Sequence, residues 1–415
     1  MTEHDIVIIG AGPAGMAAAI AAYDAGVTDV VLLDREPQLG GILMQCIHNG
    51  FGLHSLGREL TGPEYAAVYA GEVAKRDITV FLETTVTAIS PDRTVTACSR
   101  SGILKIRAKA IILAMGCRER SRGALNICGS RPASIYSAGT AQKMVNCMGL
   151  QVGKRVVILG SGDIGLIMAR RMCFEGAKVE AVCEIMPYSG GLQRNIVQCL
   201  EDFGIPLYLN TTAVQIHGNS RLEGVTIATL DRNREPIEET KRFIPCDTLL
   251  LSVGLIPENE LTRTAGIPID PLTNGAIVSN TCETQVPGIF ACGNVLHVHD
   301  LVDYVSDEAA RAGSAAAAFV LGKMPPADSL ATAPGSGIRY VLPHRIHRNH
   351  EDVSLFMRVA APCRNVRLVV SDGEKILTSV KRLKVSPGEM EKITLKASAL
   401  EDAAGPVSVS LEVLE

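Results

Sequence analysis

The chain has 415 residues, 47% of them hydrophobic and 39 of them glycine, more than one core usually holds, so two or three domains are expected. A net charge of -4 and a pI near 6.2 give no basic surface for nucleic acid or an anionic membrane. No apolar run reaches the roughly 18 residues that a bilayer span needs, and the N-terminus enters a strand-like run almost at once, so a cytoplasmic protein is expected. The twelve cysteines are scattered with no C-x-x-C, and neither structural disulfides nor an iron–sulfur cluster within the chain are expected.

In chain order, Ile6 to Ile9 reads as a buried strand that runs straight into Gly10-Ala11-Gly12-Pro13-Ala14-Gly15. The first glycine permits a tight turn, the second lets a pyrophosphate approach the backbone, and the third lets helix and strand pack closely. The helix that follows turns its N-terminus toward the phosphates. A second strand, VVLL, closes on Asp34, with Arg35 next to it, and the carboxylate is placed to accept from a ribose 2′-OH.

The same pattern returns later. Val156 to Leu159 runs into Gly160-Ser161-Gly162-Asp163-Ile164-Gly165, and VEAVC closes on Glu184. Each acid lies 24 positions after its first glycine (10 to 34, 160 to 184). One such triplet is often only a structural loop. Two, each with strand, helix and terminal acid, describe a chain that holds two dinucleotides. Asp163 is expected to cap its own helix and to compete there with pyrophosphate.

Between the two units, Ile78 to Ile89 and Ile103 to Ile106 read as short strands of an antiparallel element, with a turn at Ser90-Pro91-Asp92. A buried strand, Ala110 to Ala114, then ends at Gly116, and a matching segment after the second unit ends at Gly254. A strand from Gly288 to Ala291 leads to Cys292-Gly293-Asn294, and Val302 to Leu321 has the alanine-rich look of a packed helix. Lys323 to Gly337, with Pro325 and Pro326, reads as a linker. Five alternating segments follow between Val353 and Val413, separated by turn residues, as in a compact, sandwich-like all-β module.

This order of motifs resembles the pyridine nucleotide-disulfide oxidoreductase superfamily of flavoproteins over about residues 4 to 323. The resemblance implies an α/β fold with two Rossmann-like dinucleotide-binding domains, the NAD domain inserted in a discontinuous FAD domain, plus the small all-β C-terminal module. The implied boundaries are 1–120 and 253–323 for FAD, 121–252 for NAD, 324–337 for the linker and 338–415 for the module. It assigns FAD to Gly10, Gly12, Pro13, Ala14, Gly15, Asp34, Arg35, Gly41, Gly116, Gly293 and Asn294. It assigns NAD(H) to Gly160, Gly162, Asp163, Ile164, Gly165 and Glu184, with Gly254 at the return crossover. Glu184 favours NAD over NADP, because a carboxylate repels a 2′-phosphate.

Two features depart from disulfide reductases of this fold. Their redox cysteines follow a Gly-Gly, and counting from Gly40-Gly41 those positions hold Leu43 and His48, so no dithiol is expected. They also usually end in an α+β dimerisation domain rather than a β module. Gln45, Cys46, His48 and Asn49 are expected on the first turns of a helix beside the flavin. His48 is the candidate for moving a proton, and Cys46 the candidate thiolate, although either residue could simply pack there. His297, His299 and Asp300 are read as supporting or interface residues, and no metal site is assigned.

The segment GGILMQCIHNGFG with ELTGPEYA is similar to FAD subunits of multi-subunit dehydrogenases. These include subunits that accompany glycerol-3-phosphate dehydrogenase and, more distantly, those of hydrogen cyanide synthase and of opine and sarcosine-type enzymes. That narrower likeness implies an FAD-dependent oxidoreductase passing electrons between NAD(H) and a partner. The implied partners are a small iron–sulfur protein and a second dehydrogenase subunit, hence an oligomer. The competing readings are a self-contained NADH oxidase or small-molecule dehydrogenase, and a scaffold subunit whose second site has degenerated.

Overall fold

The computed structural model describes all residues except 325–327, 349–350, 402 and 415, and divides into two compact units. One comprises Met1–Cys117 and Pro257–Glu415, the other Arg118–Ile256. No helix among the described residues is long and apolar enough to cross a membrane.

In the first unit the strand Thr2–Ile9 lies at the centre of a parallel sheet. Val30–Leu33 and then Thr79–Phe81 lie on one side of it, and Gly102–Leu113 on the other. The sequence predicts two separate strands at 103–106 and 110–114; the structure instead has one twelve-residue strand that serves two further neighbours besides Thr2–Ile9. Its first half pairs antiparallel with Thr94–Ser99, whereas Ile111–Leu113 pair parallel with Ile289–Ala291. Thr79–Phe81, expected in the antiparallel element, belongs to the parallel sheet because it continues from Val30–Leu33. Both faces of the central strands are covered, so they are apolar throughout: Ile6 and Ile8 pack on one side, Val7 and Ile9 on the other. Each such side chain contributes about 1.5–3 kcal/mol by burial.

The second unit repeats this strand order. Arg155–Leu159 is central, Lys178–Cys183 and Leu207–Tyr208 lie on one side, and Thr248–Leu251 and Ile135–Ser137 on the other. Thr211–His217, Gly224–Thr229 and Arg242–Pro245 form its antiparallel element.

The sequence predicts a linker over 324–337, but Ser329–Pro334 is a strand, paired to Arg345–His347 and to Val407–Val413. The strand's one proline, Pro334, is tolerated because it sits at the last position, where a missing N–H matters least. Pro325 and Pro326 lie outside the described residues. The C-terminal residues form a five-stranded and a three-stranded sheet. Leu355, Met357, Val366 and Leu368 fill the core of this module. The three-stranded sheet turns Tyr340, Leu342 and Phe356 the other way, into the core that contains Ile111, Leu113, Val295 and Leu296. The module is therefore packed on the first unit's sheet through a shared apolar core.

Candidate functional site

Each unit builds a cradle at the end of its central strand, and the glycines divide their work identically in both. A Cβ on Gly10 would lie 2.4 Å from Ala114 O, and one on Gly15 only 1.7 Å from Gly10 O, so these two are required by the protein's own packing. Gly12 has nothing within 4 Å. In the second unit a Cβ on Gly160 would meet Ser252 O at 2.0 Å and one on Gly165 would meet Gly160 O at 2.7 Å, while Gly162 has its nearest neighbour at 3.7 Å. The middle glycine thus faces open space at the start of a helix, Pro13–Asp24 or Asp163–Phe174, where a pyrophosphate fits. Gly116 and Gly254 likewise have nothing within 4 Å.

The terminal acids are held in place by the turn. Asp34 Oδ2 accepts from Ala11 N at 2.5 Å and Oδ1 from Glu36 N at 2.8 Å. Glu184 Oε2 accepts from Ser161 N at 2.9 Å and Ser161 Oγ at 2.6 Å, and Oε1 accepts from Met186 N at 2.9 Å. Each carboxylate is oriented yet keeps lone pairs for a ribose diol. Arg35 is exposed, and Ile164 is half-buried on its helix.

The repeat extends further than the acids. Asp34 is followed by Pro37 and Gly40-Gly41, and Glu184 by Pro187 and Gly190-Gly191, at the same spacing. Both Gly-Gly turns fold back onto the phosphate loop: Gly40 N donates to Ala11 O at 2.9 Å, and Gly190 N to Ser161 Oγ at 3.1 Å. A Cβ on Gly41 would sit 3.0 Å from Gly12 Cα. Aligning the two units residue by residue would have revealed this second pair and Ser161.

Asp163 does not cap its own helix. Gly162 occupies the cap position, and the Asp163 carboxylate accepts from Leu192 N at 2.9 Å and Asn195 Nδ2 at 2.6 Å. It anchors the segment after Gly190-Gly191, because a side chain at the first helical position points back along the chain toward that loop.

The segment carrying Cys46 and His48 also differs from expectation. Gly41–Gln45 is a single 3-10 turn, and Asn49–Phe51 is a short strand paired with Leu60–Thr61. Positive φ at Gly40, Gly41, Gly50 and Gly52 breaks any longer helix. The helix begins only at Gly62, where Thr61 and Glu64 form a capping box that the sequence carries as T-x-x-E. Cys46 Sγ donates to Ile42 O at 3.4 Å, and the half-buried His48 ring lies 5.1 Å from that of Phe51. Asp303, buried at the start of helix Val302–Val320, accepts from Gly52 N, Ser55 N and Ser55 Oγ and so docks the loop beyond His48 on that helix.

Gly293 and Asn294 sit opposite the first phosphate loop; a Cβ on Gly293 would meet Ala14 Cβ at 2.8 Å. Asn294 Oδ1 accepts from His299 N at 3.0 Å, which leaves it a second lone pair. Beneath this turn Glu308, absent from any sequence motif, gathers three donors. Oε1 accepts from Gly293 N at 2.7 Å and lies 3.2 Å from His299 Nε2, and Oε2 lies 2.9 Å from His297 Nε2. Burial raises the Glu308 pKa, but the two imidazoles and their hydrogen bonds outweigh it and hold the carboxyl well below its usual range. Burial lowers His297 to about 4 despite Glu308, so its ring is neutral at pH 7.

These three side chains have the donor set of a cation site, with ligand-type atoms within 4.8 Å of one another. The rings are better described as Nε2–H donors. A cation at Nε2 would move each proton to Nδ1, where neither ring has an acceptor among the described residues. Asp300 is not part of this group; it pairs with Arg358 and accepts from Met390 N at 2.6 Å.

Comparisons with known proteins agree with this geometry. The sequence profile described as pyridine nucleotide-disulphide oxidoreductase matches residues 4–317. An opine oxidase subunit from Agrobacterium tumefaciens is 26% identical over 281 residues, covering 63% of this chain and 54% of the relative. The sarcosine oxidase alpha subunit of Corynebacterium sp. (strain P-1) is 27% identical, covering 61% of this chain and 26% of the relative. The chain thus matches about half or less of the length of these two relatives. Among solved structures, thioredoxin reductase of T. acidophilum shares the fold with a TM-score of 0.61 at 23% identity, over 75% of this chain and 97% of that one. The chain belongs to the pyridine nucleotide-disulphide oxidoreductase family and has the two-cradle fold of that reductase.

Proposed function

We propose that the chain passes electrons between NAD(H), held in the unit 118–256, and FAD, held in the unit formed by 1–117 and 257–415, and from there to a partner subunit. The observation that carries this reading is the pinned Glu184 carboxylate beside the open Gly162 turn. It matches in form the Asp34 carboxylate beside Gly12, yet three donors fix it in a position that repels a 2′-phosphate and suits an NAD ribose diol. Bound FAD supplies the two-electron acceptor for a nicotinamide hydride. The chain's own residues orient the two nucleotides: Gly12 and Gly162 with their helix N-termini receive the pyrophosphates, and Asp34 and Glu184 fix the adenosine riboses.

No dithiol takes part in this reading. Leu43 and His48 stand where the disulfide reductases keep their cysteines, and the thiol of Cys46 is turned to Ile42 O. The acceptor or donor beyond the flavin is a second dehydrogenase subunit of the glycerol-3-phosphate dehydrogenase-associated kind, with a small iron–sulfur protein as a further carrier. Two relatives named as enzyme subunits support the multi-subunit part of this reading. His48, beside the loop that Asp303 docks, is the residue that supplies a proton or holds a substrate anion beside the flavin.

The test is the thiol count of the FAD-loaded chain, taken in denaturant before and after anaerobic reduction by NADH. The flavin should be reduced with the count unchanged. Two additional thiols after reduction, as a dithiol route requires, would contradict the proposal.

A further inference from the structure

The family profile ends at residue 317, yet the β module beyond it reaches back to the flavin-side turn. Arg358, on the strand Val353–Val359, donates from Nη2 to Val298 O at 3.1 Å and to the Asp300 carboxylate, and from Nη1 to Pro387 O at 3.1 Å. The other Asp300 oxygen accepts from Met390 N, also in the module. Arg358 and Asp300 are each only 14% exposed at the side chain, so this pair is largely desolvated and geometrically fixed. Phe356, two residues away, places its ring 5.8 Å from that of His297 and 6.0 Å from that of His299.

The turn from Gly293 to Asp300 is therefore gripped from two sides. The helix holds it through Glu308, which takes Gly293 N and both histidines. The module holds it through Arg358, Met390 N and Phe356. Inside the turn, His299 N passes this constraint to Asn294 Oδ1, on a side chain that the family resemblance assigns to FAD.

We propose that the C-terminal β module is an intramolecular clamp on the FAD site, and that Arg358 is a positioning residue that sets the Gly293–Asn294 turn in its FAD-binding geometry. This rests on FAD occupying the first cradle, and is independent of which pyridine nucleotide reduces it. A failure of NADH to react would leave FAD affinity untouched, so the two proposals can fail separately.

The experiment uses the full chain as wild type, Arg358→Gln and Arg358→Lys, each stripped of FAD and rebound with known amounts. FAD affinity is read by ultrafiltration, the environment of the flavin by its visible spectrum, and its midpoint potential against reference dyes. Arg358→Gln should weaken FAD about tenfold, the order expected for losing a buried charged hydrogen bond, with an altered spectrum or potential. Arg358→Lys, which keeps the charge and one donor, should recover part of the loss. Arg358→Gln with FAD affinity within about twofold of wild type and unchanged spectrum and potential would overturn the proposal, as would a lysine variant no better than glutamine. If Arg358→Gln does not fold, Asp300→Asn reads the same link from the other side. Weakening of about tenfold there supports the clamp, and affinity within about twofold overturns it.

Discussion

Ser161 gives Glu184 Oε2 two hydrogen bonds, from its N–H at 2.9 Å and its hydroxyl at 2.6 Å, where Ala11 can give Asp34 only the N–H. The second acid is thus held more tightly than the first, and it is buried to 8% exposure. Glu184→Ala should raise the Kd for NADH about tenfold, the order of one or two lost hydrogen bonds to a charged group, and leave NADPH unchanged or improved. Ser161→Ala should fall between wild type and that variant. Isothermal titration with both nucleotides checks the order.

The glycines separate folding from binding. Gly12→Ala meets nothing within 4 Å, so the FAD-free protein should melt close to wild type but fail to retain FAD. Gly313→Ala does the opposite. Its Cβ would lie 2.2 Å from Ala18 O where the helices Pro13–Asp24 and Val302–Val320 cross, and the overlap should destabilise the unit by about 3 kcal/mol or more. Thermal melts with and without added FAD distinguish the two variants.

Acid should destabilise the first unit earlier than its carboxylates alone would. The unfolded chain protonates His297 near 6.5, whereas burial delays this to about 4 in the folded protein. Between those values the unfolded state binds more protons, so this contribution is complete above pH 6.5 and is lost as pH falls through about 4. The difference amounts to roughly 3 kcal/mol. His344, also lowered by burial, acts in the same direction, and Glu308 adds its loss at still lower pH. Urea midpoints between about pH 7.5 and about pH 5 should therefore fall. His297→Gln, which keeps a donor for Glu308 without titrating, should flatten the slope.

His48 is assigned to the substrate chemistry beside the flavin and not to hydride transfer from NADH, so its loss should split two activities. His48→Asn should leave NADH-to-ferricyanide turnover within about twofold of wild type, while coupled turnover with the partner subunit should fall at least tenfold, the typical scale of proton-transfer catalysis being about 100-fold or more. Equal losses in both assays would place His48 in the packing of the site.

What the sequence makes legible follows from distance along the chain. The Gly10–Gly15 and Gly160–Gly165 turns, their acids and the apolar strands before them depend on neighbours within one βαβ unit, and they stand where the motifs put them. The strand Ser329–Pro334 is hidden behind proline and small residues, because only its partners, among them Val407 paired with Thr332 from 75 residues further along, make it a strand. Glu308 and Arg358 are illegible for the same reason. Glu308 sits in an alanine-rich helix with nothing local to mark it, and Arg358 meets Asp300 across 58 residues. The helix expected over Cys46 and His48 fails because four closely spaced glycines at positive φ favour turns over helix.

The most direct test of two working cradles joined in one chain is anaerobic titration of the FAD-loaded protein with NADH and, separately, with NADPH, followed in the flavin's visible band. Bleaching should be complete near one equivalent of NADH, with NADPH far less effective. A flavin that stays oxidised with NADH, or one that NADPH reduces more readily, would contradict it.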